Sequence, residues 1–204
     1  LHRNEKAKDL GIHIPEGQLE KRVYKGTENK ATVRLVFSGG YQYSPENNLQ
    51  LKALGDILQV KVLESLREQE GEAYSPSVQV IYTKNPKNRY ALIVNFGCDP
   101  KNTDHLISEV VKEMRLIRDQ GVSPADVQKF KAAYGKNVEL ALKDNGFWLN
   151  YLSGQYENSE NILEVLEADK NLSKVTPESI REASAIFFSE KNRISFILLP
   201  EKRD

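Results

Sequence analysis

The sequence predicts an α+β fold: an antiparallel sheet with helices packed on one face. Three features carry that expectation. Alternating strands form a hairpin in the first half, helical periodicity fills most of the second, and a closing apolar strand needs neighbours to bury it.

The elements follow in order. Residues 1–17 are polar and broken by Pro15 and Gly17, so they read as a linker or tail before a single domain at 18–204. Leu19–Tyr24 has weak strand character. Ala31–Ser38 is clearer, because Val33, Leu35 and Phe37 alternate with Thr32, Arg34 and Val36 before Gly39-Gly40 closes the run. Ser44-Pro45-Glu46 opens a helix: the Ser44 hydroxyl can cap it and the fixed φ of Pro45 suits its first turn. Leu51, Leu54, Leu58, Val62 and Leu66 recur at helical spacing until Gly71 offers a stop.

Tyr74–Tyr82 and Arg89–Cys98 then read as paired strands. Tyr90, Leu92, Val94, Phe96 and Cys98 share one face, and Lys84-Asn85-Pro86-Lys87-Asn88 supplies the turn. Beyond Pro100 the period changes to helical through Leu106, Val110, Met114 and Ile117. Ser123-Pro124-Ala125-Asp126 is a capping-box pattern for a second helix carrying Val127, Phe130, Tyr134, Val138 and Ala141. Asn145-Gly146 is expected to break it, with shorter helices at Phe147–Tyr156 and Ile162–Ala168. Thr176-Pro177-Glu178 opens the last helix, and Arg193–Leu199 fits a central strand.

Composition narrows the function. A chain of 204 residues with 39% hydrophobic and 28% charged residues can bury one core and is not a disordered sequence. Lys+Arg and Asp+Glu balance at 29 each, which argues against a dedicated nucleic-acid partner. No apolar run approaches the ~20 residues needed to span a bilayer, so no membrane partner is expected. The single cysteine, Cys98, excludes an internal disulfide and reads as a small buried hydrophobe on its strand.

Metal ligands are scarce. A hydrolytic zinc site takes three N/O ligands, commonly with two on one helix. The histidines are His2, His13 and His105. His13-Ile14-Pro15-Glu16 lacks a second histidine and its proline spoils a helix; His105 and Glu109 lie one turn apart but read better as a solvated pair. No metal site is therefore expected in this chain. No Gly-x-Ser-x-Gly elbow or phosphate-binding glycine loop occurs either.

The segment from Leu66 to Ser75 is more informative. It leaves a long amphipathic helix and enters a strand, a geometry that can aim Arg67 and Tyr74 into one concave space. A guanidinium donates to peptide carbonyls, and a phenol donates to a developing oxyanion. Both residues also have ordinary structural explanations, since arginine suits a helix C-terminus and tyrosine suits a strand.

Context comes from order. Leu66-Arg67, then Gly71-Glu72-Ala73-Tyr74, after a long helix opened by a Gly-Gly turn, resembles the Arg/Tyr element of insulinase- and pitrilysin-like zinc peptidases, the family that includes the mitochondrial processing peptidase. Lys25-Gly26-Thr27-Glu28 is similar to the family's entry into this domain, and Phe96-Gly97-Cys98-Asp99-Pro100 to its hairpin exit. Gly121-Val122-Ser123-Pro124-Ala125-Asp126 resembles its inter-helix link. Lys143-Asp144-Asn145-Gly146-Phe147-Trp148 resembles a segment of bacterial members. These elements run in order from about Gly17 to Leu199.

The resemblance implies a C-terminal-type domain in one half of a clamshell. Zinc would belong to the other half, on an inverted His-x-x-Glu-His motif that is absent here. It implies that Arg67 binds substrate carbonyls and that Tyr74 acts catalytically, holding the tetrahedral intermediate across the chamber. Expected partners are a peptide substrate and a zinc-bearing N-terminal half or partner subunit; the isolated chain is expected to be inactive. Kinship favours a bacterial extracytoplasmic or periplasmic setting. The alternative is a non-catalytic structural or assembly subunit. Phe147 and Trp148 read as packing residues, and the sheet containing Val33, Leu35 and Phe37 offers an edge for strand addition by a peptide.

Overall fold

A computed structural model describes residues 8–69 and 72–201. Strands β1 (Gln18–Tyr24) and β2 (Ala31–Gly40) precede helix α1 (Pro45–Leu63), and β3 (Ala73–Thr83) and β4 (Arg89–Cys98) form the hairpin. Helices α2 (Thr103–Gln120), α3 (Pro124–Ala141), α4 (Asn145–Asn158), α5 (Ala168–Ser173) and α6 (Pro177–Phe187) follow, and β5 (Arg193–Leu199) closes the chain. His2 and Gly71 lie outside the described residues.

The strands form one sheet in the order β1-β5-β2-β4-β3. Most pairs are antiparallel, as expected, but β1 and β5 run parallel, with Gln18 beside Arg193 and Tyr24 beside Leu199. The cause is insertion: β5 lies antiparallel to β2 and enters between β1 and β2, which themselves run in opposite directions. The sheet is therefore mixed. The strand carrying Val33, Leu35 and Phe37 is interior, and among the described strands β1 and β3 form the edges.

Alternation along β2 and β4 sends Val33, Leu35, Phe37, Leu92, Val94, Phe96 and Cys98 to one face, where they are buried beneath the helices. Leu51, Leu54, Leu58 and Val62 of α1, Leu106 and Val110 of α2, and Ile180 and Phe187 of α6 complete this core. Cys98 is fully buried there, 3.7 Å from Thr103 Oγ1, and burial pushes its thiol pKa up. The opposite face holds a smaller cluster of Val36, Ala91, Ile93 and Ile194. Ile14 packs on that cluster, and Arg89 donates to the Ile12 carbonyl at 3.1 Å. This stretch before β1 therefore shields part of a face that alternation alone would leave open.

Helix α1 approaches β3 closely because residue 55 is glycine. A Cβ on Gly55 would overlap Val80 Cγ2, a branched side chain with little freedom to retreat. Gly55→Ala is therefore expected to lower stability by about 1 kcal/mol, since overpacking of ~1–3 kcal/mol outweighs the gain of ~1 kcal/mol in helix propensity. A drop in the urea midpoint at constant m-value checks this. One turn further on, the Gln59 carboxamide accepts from Val78 N at 2.6 Å and donates to Pro76 O at 3.2 Å. It occupies backbone groups that an added strand would use on the β3 edge.

Two helix boundaries depart from the sequence reading. The break expected after α3 occurs, but at 142–144: the Asp144 carboxylate accepts from Phe147 N at 2.7 Å and caps α4, so Asn145-Gly146 opens the next helix and does not form the gap itself. The helix expected at Ile162–Ala168 is instead a 3₁₀ turn at Glu164–Glu167 followed by α5. Asn161 Oδ1 and the Tyr151 hydroxyl take the N–H groups of Leu163 and Val165. Such side-chain acceptors compete with helical hydrogen bonds.

Candidate functional site

The helix-to-strand bend is built from both sides. Helix α1 continues as a π-helical turn at Glu64–Gln69, in which Leu66 is fully buried and Arg67 is exposed. Leu66 anchors the turn in the core while the next side chain faces solvent. On the far side, Ala73 pairs with Cys98 and Tyr74 with Gly97. Ala73 is buried, so Tyr74 projects from the other face of the sheet, where it is 62% exposed.

The register then slips between Tyr74 and Ser77, and Ser75 adopts a left-handed conformation with φ of 49°. A bulge re-aims the strand around it, and a non-glycine residue at positive φ stores strain. Tyr74 thus sits on a short length of ladder between a helix exit and a kink. Its hydroxyl has no hydrogen-bond partner among the described residues. Glu72 Oε2, two positions earlier, is buried with no partner among them either.

Two further neighbours escaped the sequence reading. Lys30 Nζ lies 5.9 Å from the centre of the Tyr74 ring, a cation–π arrangement. Lys30 reaches it by crossing the position opposite Tyr74: a Cβ on Gly97 would meet Lys30 Cε at 2.8 Å. The signal lay in register, because Ala31 and Ala73 both flank Cys98. That relation is invisible until strands are paired.

Arg67 and Tyr74 are therefore both exposed around the same bend, and neither lines the clefts of about 230–460 Å³ found elsewhere on the domain. A concave space about them needs a second surface. What the bend presents is hydrogen-bond donors: the exposed Arg67 guanidinium on its helical side, and on its strand side the Tyr74 phenol with the Lys30 ammonium over its ring.

Among the described residues, no group of three or more His, Cys, Asp and Glu side chains could hold a metal. The Glu109 carboxylate pairs with Lys112 at 2.8 Å, and His13 Nδ1 lies 2.8 Å from the Gly11 carbonyl. Phe147 and Trp148 form a ring cluster with Tyr151 along α4, where Trp148 Nε1 donates to the Leu142 carbonyl at 2.9 Å.

Residues 5–134 match the family model described as the peptidase M16 inactive domain. Over 110 residues the chain is 27% identical to a zinc protease PQQL-like protein of Arabidopsis thaliana, covering 52% of this chain and 12% of that protein. The periplasmic protease PqqL from Escherichia coli superposes with a TM-score of 0.81 at 18% identity, over 92% of this chain and 21% of that one. A peptidase M16 inactive domain from Pseudomonas fluorescens matches with a TM-score of 0.77 at 11% identity, over 100% of this chain and 48% of that one. The chain thus spans between 12% and 48% of the length of these relatives. At such identities the solved structures establish the fold, and the family model establishes kinship. With its match extending over more than half of the sequence, the chain belongs to the peptidase M16 inactive-domain family.

Proposed function

We propose that this domain belongs to the metal-free half of a zinc metalloendopeptidase, where it helps form the chamber and clamps the peptide. Zinc belongs to another domain or subunit, and Tyr74 and Arg67 reach the substrate from across the cleft. The observation that carries this reading is the exposure of Tyr74: a large aromatic side chain, 62% exposed, is held on a strained bend with the Lys30 ammonium over its ring.

The chemistry follows from the side chains. The Tyr74 O–H donates toward the oxyanion that develops as a peptide carbonyl is attacked, and Arg67 donates to neighbouring backbone carbonyls of the substrate. Closure of the opposite half over this bend excludes water and strengthens both interactions. Zinc supplies Lewis-acid chemistry from the other half, and the domain alone cleaves no peptide. The periplasmic description of the structural relative PqqL favours an extracytoplasmic setting.

Arg67 provides the test. A charge-assisted hydrogen bond contributes ~1.5–3 kcal/mol, so Arg67→Ala in the assembled peptidase is expected to raise KM roughly tenfold or more, with a smaller change in kcat. Steady-state kinetics on a peptide substrate reads both. Unchanged constants would remove Arg67 from substrate binding.

A further inference from the structure

We propose a second site on this domain: the cleft between α1, α3 and α4 receives the cationic side chain of a lysine or arginine from an extended peptide segment. This inference is independent of the peptidase reading. The cleft lies by the first turns of α1, whereas Arg67 follows its last turn; at 1.5 Å per residue the two sites stand about 28 Å apart.

The cleft exists because α4 stands off the core. Gln155 is its one buried residue, and a space of about 310 Å³ remains between this helix and the body of the domain. Its walls are aromatic. Tyr43 and Tyr82 meet edge to face at 5.9 Å, Tyr134 faces them from α3, and Phe147 stacks on Tyr151 at 5.6 Å. Hydrogen bonds hold the lining in place: the Tyr151 hydroxyl accepts from Gln155 Nε2 at 2.9 Å and from Val165 N at 3.1 Å. The walls are therefore preorganised.

Glu160 and Glu164 supply negative charge. Burial raises the Glu164 pKa, and the neighbouring Glu160 carboxylate raises it further. Lys84 lies 3.5 Å from Glu160, with its Nζ 5.7 Å from the centre of the Tyr43 ring. The fold thus already seats one ammonium between a carboxylate and this aromatic wall. Glu164 has no ion pair among the described residues, and Lys52 at the rim is engaged with Asp56 at 3.0 Å. Rings beside a carboxylate that has a hydrogen bond from Gln155 but no ion pair among the described residues favour a cation, and apolar walls suit the aliphatic stem of lysine or arginine.

Exposed neighbours point to a peptide as the source of that cation. Leu163 and Leu166 flank Glu164 and Val165 in sequence, and both are exposed, at 58% and 72%. A free amine would leave them unused; a chain carrying apolar residues beside its cation would cover them.

Trp148 is the single tryptophan and lies 6.1 Å from the Tyr151 ring, so its emission reports occupancy. The chain is titrated with the capped pentapeptide Gly-Leu-Arg-Leu-Gly, with the same peptide bearing citrulline, and with free arginine amide. The arginine peptide should give a saturable change, with citrulline and free arginine amide each at least tenfold weaker. Glu164→Gln should weaken the arginine peptide tenfold while leaving the far-UV spectrum unchanged. No saturable change, equal binding of citrulline, or full affinity in Glu164→Gln would overturn the cation site. Equal binding of free arginine amide would overturn the assignment to a peptide.

Discussion

Tyr74→Phe in the assembled peptidase is expected to lower kcat by about a hundredfold or more, while KM changes by no more than about twofold. The asymmetry follows from where the hydroxyl acts. A donor that meets charge only as the tetrahedral intermediate forms contributes to the transition state and little to ground-state binding. Removal of one oxyanion donor costs ~3 kcal/mol of barrier, which sets the scale of the effect. Stability should not follow, because the hydroxyl meets no internal partner among the described residues and the ring is 62% exposed. A Tm unchanged alongside the lost turnover separates this role from a folding defect.

Phe37→Ala is expected to act in the opposite way, destabilising the fold by ~3–5 kcal/mol, as truncation of a buried aromatic does. Phe37 is fully buried on β2, and that strand is paired on both sides, with Leu92 opposite on β4 and Arg193 on β5. Neither edge can relax to fill the cavity. With total stabilities of ~5–15 kcal/mol for a domain, the loss should appear as a large fall in the urea midpoint. Val23→Ala on the exposed edge strand β1 should change stability by less than about 0.5 kcal/mol, which gives the internal comparison.

Much of this architecture was legible because the chain writes it in short periods. Val33, Leu35 and Phe37 declare their face by alternation, and the Ser123–Asp126 capping box announces α3 as it forms in the structure. Long-range relations were less accessible. Nothing local in Gln18–Tyr24 shows that β5 will enter beside it, so the parallel pair was missed. The turn at Glu164–Glu167 formed in place of a helix because acceptors on Tyr151 and Asn161 claim its donors.

The candidate site divides in the same way. Arg67 and Tyr74 stand out from an ordered set of short motifs. Lys30 over the Tyr74 ring and the glycine that admits it required strand register. The cleft beneath α4 was likewise out of reach. Tyr43, Tyr82, Tyr134 and Tyr151 are far apart in sequence, and only packing makes them one surface.

The central claim is that Tyr74 faces a bound peptide from across the chamber, and contact is its most direct test. A photoreactive azidophenylalanine installed at position 74 of the assembled peptidase, irradiated with substrate bound, should label the peptide, and excess unlabelled peptide should suppress that label. The same probe at position 186, exposed on α6 in the helix layer behind the sheet, should label none. If position 74 instead labels only residues of its own domain, whether or not peptide is present, Tyr74 does not face the substrate and the proposed role fails.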